Sequence, residues 1–202
     1  GETILIPDFS SIHSGEQKLL QFAQNYDVAA LKAATNASID VWVDVVNDLS
    51  DDQVAFVPQD PNAHDTAAVA GEESIGWSVA HLVLHVTASC EEWATYSSIL
   101  ARGIPYPAEP RVRYEPDWKT VTTMAQCLQR LEESRRMRLA YLDAWPDEPN
   151  LEVKRALSER FVERFGEFNA PAAFLFGLMH EVGHIDQLRE AARQAREAFG
   201  VG

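Results

Sequence analysis

The chain has 202 residues, 46% hydrophobic and 24% charged, the balance of one globular domain able to bury a substantial core. Seventeen basic against 31 acidic residues leave a formal net charge of -14, a field that repels nucleic-acid backbones and anionic lipid and argues against both as partners. The longest apolar run, "APAAFLFGLM", is about half the length of a membrane span.

In chain order, "ETILI" at residues 2–6 is the one β-like stretch, ended by Pro7. "SGEQ" at 14–17 reads as a capping box, in which Ser14 and Gln17 satisfy each other's orphan amides. Helix-period apolar residues then continue as one helix, or two joined near "TNAS", ending at Leu49. "SDDQ" at 50–53 is a second capping box opening a short turn, and residues 58–74 form a polar loop. A second long helix is expected from about Gly76 to Arg102, stopped by "RGIPYPAEP". Four prolines between 105 and 116 keep the following link extended. "DWKT" is expected to cap a third helix, broken near Trp145 by "WPDEPN". A short amphipathic helix follows within 155–165, and the last helix is expected from Asn169 to about Phe199.

This pattern predicts an all-α fold: a four-helix bundle with short accessory helices. Residues 1–27 read as an N-terminal arm and 28–202 as the bundle domain. Cys90 and Cys127 show no paired spacing and read as buried thiols. No basic start precedes an apolar leader segment, so a cytoplasmic location is expected. In "RRMRL" at 135–139, Glu132 and Arg136 are spaced as an exposed i, i+4 pair, a reading of surface salt bridging.

Four of the six histidines form two i, i+4 pairs, His81 with His85 and His180 with His184. Residues four apart share a helix face, and imidazoles so placed can bind one ion at about 2.0–2.1 Å. Two such pairs on separate helices, on stripes adjoining strongly apolar ones, point to a metal site between facing helices. "HEVGH" at 180–184 also matches the H-E-x-x-H helix of metalloproteases, where the glutamate is a general base. The usual third ligand on a later element has no candidate, because only eighteen residues follow His184 and they continue the helix. A strand to hold a peptide substrate is missing too, so a protease is disfavoured.

"GWSVAHLVLHV" at 76–86, "RGIPYP" at 102–107 and "HEVGHIDQLRE" at 180–190 together resemble the signatures of the DinB/YfiT-like metalloproteins. The resemblance covers roughly residues 28–197. It implies a bundle with a long crossover between helices 2 and 3, which suits the Pro-rich link. It also implies a three-histidine site for zinc or nickel, made by His85, His180 and His184. His81 lies outside that triad, as a fourth ligand, a donor to a ligand, or a core histidine.

Activities in that family imply a thiol-dependent S-transferase that moves a low-molecular-weight thiol, such as bacillithiol or mycothiol, onto a small electrophile. The alternatives are a metal-dependent hydrolase of a small reactive metabolite and a non-catalytic metal-binding stress-response protein. Glu181 and Glu92 are candidate proton acceptors, and Gln187 a hydrogen-bond partner for a ligand imidazole or bound water. The expected partners are a small-molecule substrate and, through the apolar arm, a second copy in a homodimer.

Overall fold

The structure, a computed structural model, describes residues 6–66 and 68–200. Among these every regular element is a helix, as the patterning predicts; "ETILI" lies outside the described residues except for Ile6. The long helices are α3 (Val28–Asn47), α5 (Val79–Ala101), α6 (Met124–Asp143) and the pair α8 (Ala170–Gly183) and α9 (Ile185–Phe199). Shorter ones are α1 (Ser10–His13), α2 (Leu19–Phe22), α4 (Asp51–Ala55) and α7 (Glu159–Phe165).

Local chemistry explains the starts and stops. Asp27 caps α3 by accepting from the Ala30 amide at 2.8 Å, and the helix runs unbroken through "TNAS". The box at Ser50 and Gln53 forms as expected and opens α4. Ser78 caps α5 through the His81 amide, and Gly103, at φ +78°, follows its end. Two expected caps are displaced. Ser14 closes α1 instead of opening a helix, because Gly15 follows at φ +79° in the left-handed region that ends a helix; Gln17 accepts from Ser11 Oγ instead. Asp117 caps only a 3-10 turn, Trp118–Thr120; α6 starts at Met124, where Thr123 and Gln126 make the reciprocal box that "DWKT" lacks.

The helices pack as a four-membered ring. α5 lies against α6 and α8, and α3 against α6 and α8, with α3 and α5 on a diagonal. Residues shared between clusters give the directions. Lys32 pairs with Asp143 while Arg135 reaches back to Asn36 and Asp40, so α3 and α6 are antiparallel. Val79 to Val86 pack in one core cluster with Cys127 and Leu131, whereas Leu100 packs with Leu142 in the other. α5 and α6 are therefore parallel, and residues 102–123 travel the length of the bundle to connect them. That is the long crossover between the second and third helices. Phe9, Ile12, Leu19 and Ala23, ahead of α3, are buried in the core at the end of the bundle remote from the histidines.

Three further points correct the sequence reading. The last helix breaks at His184, whose amide bonds back to Glu181 O in a tightened 3-10 turn before Leu188 N resumes on His184 O. Glu132 pairs with Arg135, not Arg136, since the i, i+3 neighbour also meets Asp40 across the helix pair. Arg138, within the supposed surface run, is 1% exposed and pairs with Glu181. Cys90 and Cys127 are free, buried thiols.

Candidate metal centre

α5 and α8 meet closely because Gly177 faces the α5 backbone: a Cβ there would lie 3.1 Å from Cys90 Cα and from Trp93 Cβ. This approach brings His85 of α5 within reach of His180 on α8 and His184 at the break. His85 Nε2 lies 3.1 Å from His180 Nε2, and His184 Nε2 lies 3.1 Å from the same atom. Imidazole nitrogens bound tetrahedrally to one ion at about 2.0–2.1 Å would be about 3.3–3.4 Å apart, so the observed separations sit near that edge length. Among the described residues these three alone form such a group, the trio expected from the sequence.

The far sides of the rings fix their tautomers. His184 Nδ1 is 2.8 Å from Gln187 Oε1, a pure acceptor, so Nδ1 carries the proton and Nε2 presents a lone pair. His85 Nδ1 lies 3.3 and 3.4 Å from the two oxygens of Glu115, which turns its Nε2 inward in the same way. Arg113 also approaches His85 Nδ1 at 3.4 Å, but its Nη2 is already given to Glu115 at 2.5 Å and the His85 carbonyl at 3.3 Å. Burial would raise the Glu115 carboxyl, but the bonds and charges of His85 and Arg113 outweigh it and bring the group down to about 2. Converging lone pairs repel unless a cation or proton sits among them, and protons are disfavoured here. Burial first, then the neighbouring imidazoles, push His180 down to about 2, and burial also lowers His184. The residues therefore fit a divalent cation. His180 differs in one respect, since its buried Nδ1 has no hydrogen-bond partner.

The other residues singled out from the sequence are dispersed. His81 stays outside the trio, sandwiched between Trp77 (ring centroids 4.5 Å apart) and Trp118 (5.1 Å), with Nε2 3.6 Å from Asp65. Its burial lowers the imidazole to about 4. Gln187 lies against the His184 imidazole through the 2.8 Å contact described above. Glu92 is buried on the His85 face and takes two hydrogen bonds from Arg111, at 2.6 and 3.1 Å. Glu181 turns away from the imidazoles into the core. It accepts from Arg138 at 3.0 and 3.2 Å and from Ser38 at 2.6 Å, with Cys90 Sγ at 3.6 Å. Glu181 points about 100° around the helix from His180, and here that direction meets Ser38 of α3 and Arg138 of α6 instead of the cleft.

The histidines form one end of a cleft of about 610 Å³. Ser89, Glu92 and Tyr96 continue along α5, Trp93, Phe161 and Phe176 supply an aromatic wall, and Arg111, Arg113 and Arg155 line the side of the crossover and the 150s segment. His64, Asp65 and Thr66 from the 58–74 loop also line the cleft. Glu115, Arg113 and Arg155 were invisible as site residues in the sequence. They sit in non-periodic segments; the crossover's path carries Arg113 and Glu115 to His85, and the segment after α6 carries Arg155 to the Tyr96 end of the cleft.

The sequence model of the DinB superfamily matches residues 16–188. Neither curated proteins nor solved structures give a significant match. Among the described residues no helix is long and apolar enough to cross a membrane. With the matched span covering α3, α5, α6, α8 and the three histidines, the chain belongs to the DinB superfamily.

Proposed function

We propose that the protein is a metal-dependent enzyme, an S-transferase that joins a low-molecular-weight thiol to a small electrophile. The observation that carries this reading is the convergence of three inward-facing Nε2 atoms at the end of a cleft, with no fourth His, Cys, Asp or Glu joining them among the described residues. Three protein ligands with one side open is the donor count of catalytic sites, whereas structural sites close with four. His85, His180 and His184 would hold zinc or nickel, both suited to imidazole. Bound there, a divalent ion lowers the pKa of a thiol that reaches it and stabilises the thiolate.

The protein's own residues supply position and environment. Gln187 and Glu115 hold the His184 and His85 rings with Nε2 inward. The aromatic wall takes the apolar body of the electrophile and keeps water from competing with the thiol. In the transfer the sulfur forms a bond to carbon, the carbon loses its leaving group with the electron pair, and the thiol proton passes to a base. Of the two carboxylates expected in that part only Glu92 lines the cleft, and we assign it the proton; its Arg111 partner is 53% exposed at the cleft edge.

The test begins with elemental analysis of protein purified without a metal-affinity tag. About one zinc or nickel per chain is expected, lost in His180→Ala. Loaded protein should then conjugate bacillithiol or mycothiol to monochlorobimane faster than the metal-free form. Metal-dependent hydrolysis of ester substrates with no thiol conjugation would replace the transferase with a hydrolase. A chain that takes up no metal would end both.

A further inference from the structure

A serine or threonine inside a helix can fold its hydroxyl back onto the carbonyl one turn before. This chain does so at Thr35, Thr87 and Thr95, with bonds of 2.8, 2.7 and 2.8 Å to the carbonyls of Leu31, Val83 and Glu91. Ser89 has no such outlet. The carbonyl it would use is that of His85, whose two lone pairs already take the helical amide of Ser89 and Arg113 Nη2 at 3.3 Å. The carboxylate three residues on, Glu92, has both oxygens on Arg111. The Ser89 hydroxyl therefore makes no hydrogen bond among the described residues, although the residue is only 5% exposed.

What remains of its surface faces the cleft. Ser89 lines the cavity that holds the three histidines, while the groove on the other flank of α5 is bordered by Ala88, Glu91 and Thr95 without it. Ser134 Oγ, also unpartnered, is sealed in the core, whereas Ser89 Oγ keeps a surface open to the cavity. A hydroxyl left bare on a mostly buried residue costs free energy until a polar atom meets it. Beside an aromatic wall, which disfavours water, an acceptor on the bound molecule is the partner that fits.

The place of Ser89 along α5 tells where on that molecule the acceptor lies. His85, Ser89 and Trp93 are one turn apart on one helix face, in steps of about 6 Å. Trp93 belongs to the aromatic wall, its ring centroid 6.4 Å from that of Phe161 and 4.8 Å from that of Phe176. The order along the cleft is therefore histidines, hydroxyl, ring. We infer that Ser89 sets substrate specificity by donating to a carbonyl oxygen that stands between the reacting carbon of the electrophile and its aromatic body. The electrophile is then an aryl ketone with a leaving group on its α-carbon. As sulfur bonds to that carbon and the leaving group departs with its electron pair, electron density shared with the carbonyl strengthens the hydrogen bond. The ketone is not consumed, and the thiol proton goes to Glu92 as in the proposed transfer. This assignment rests on that transfer for the reactive end of the molecule, while recognition of the ketone needs no metal.

Two fluorinated probes test the recognition without metal or turnover. In fluorine NMR titrations of metal-free protein, para-fluoroacetophenone is expected to lose about three- to tenfold in affinity in Ser89→Ala, the effect of one neutral hydrogen bond. The hydrocarbon para-fluoroethylbenzene should stay within about twofold, and alanine, the best helix former, preserves α5. In zinc-loaded protein supplied with a low-molecular-weight thiol, kcat/KM for phenacyl bromide should fall about tenfold in the variant, while that for benzyl bromide, which lacks the oxygen, should hold. Equal losses for both probes, no loss for either, or no binding of either by the parent would overturn the assignment. So would equal falls for the two bromides, which would put the hydroxyl on the thiol. Selective binding of the ketone with no thiol conjugation of either bromide would uphold the subsite and remove the transferase.

Discussion

The buried pair Arg138–Glu181 offers a decisive perturbation, because it separates a structural from a chemical role for the glutamate of "HEVGH". Arg138 is 1% and Glu181 0% exposed, and two hydrogen bonds at 3.0 and 3.2 Å join them. Arg138→Met removes the cation at nearly constant volume and leaves a carboxylate in the core with only Ser38 and the weak Cys90 thiol as donors. Breaking one side of a buried pair costs about 3–5 kcal/mol. For a chain of this size each kcal/mol moves Tm by about 2–4 °C, so a fall of about 6–20 °C is expected. Arg138→Met combined with Glu181→Leu removes both charges and should recover most of that loss. Circular dichroism melts of metal-free protein at neutral pH read the stability, and zinc titration with thiol conjugation reads the site. A single variant melting within about 2 °C of the parent would refute the burial argument. A double variant that folds and binds zinc but has lost turnover would return Glu181 to the chemistry.

Other consequences are independent of that pair. Glu115→Gln weakens the hold on the His85 ring without altering its shape; zinc affinity should fall about 10–100-fold by competition with a chelating dye, and unchanged affinity would remove Glu115 from the site. Gly177→Ala inserts a methyl 3.1 Å from the α5 backbone, so it should cost about 1–3 kcal/mol in urea unfolding and weaken zinc binding together. Gly183 is exposed, helical and faces open space, so Gly183→Ala should add about 0.5–1 kcal/mol and leave zinc affinity unchanged if packing, not the glycine, sets the break at His184. In acid, His81 at about 4 and His180 at about 2 stay neutral in the fold while the unfolded chain takes up protons below about 6.5. Stability of the metal-free protein is therefore full above that pH. It should decline by up to about 1.4 kcal/mol per histidine for each pH unit below it, and a flat urea midpoint from pH 6.5 to 5 would contradict the burial of both rings.

Helix existence was legible because the apolar period persists along α3 and α5, and Ser50 and Asn169 each cap the helix they were expected to open. Boundaries failed where two similar signals compete. "DWKT" and "TMAQ" both offer an oxygen before a helix, but only Thr123 finds a side chain three residues on that returns the bond. At Ser14 the glycine that follows decides, since a left-handed residue converts a start signal into a stop. The burial of Arg138 was illegible for a different reason. Its pattern of basic neighbours is that of a solvated face, and only the ring order of the bundle puts Glu181 opposite it.

The histidine cluster was legible to the same depth and no further. His85, His180 and His184 announce themselves by spacing, because a helix face is a short-range property of the chain. Glu115 and Arg113 do not, because a crossover is extended and its register against the bundle is set by tertiary packing. H-E-x-x-H is the instructive case. Its histidines need only helical spacing to share a face, but a general base needs its carboxylate on the reacting side. Here the residue after His180 projects between α5, α3 and α6, where Arg138 and Ser38 meet it. The same five letters thus place two histidines of the trio and a core ion pair, with the third histidine taken from α5 ahead of them in the chain. A motif fixes the direction of each side chain around its own helix; the neighbouring helices decide what each one meets.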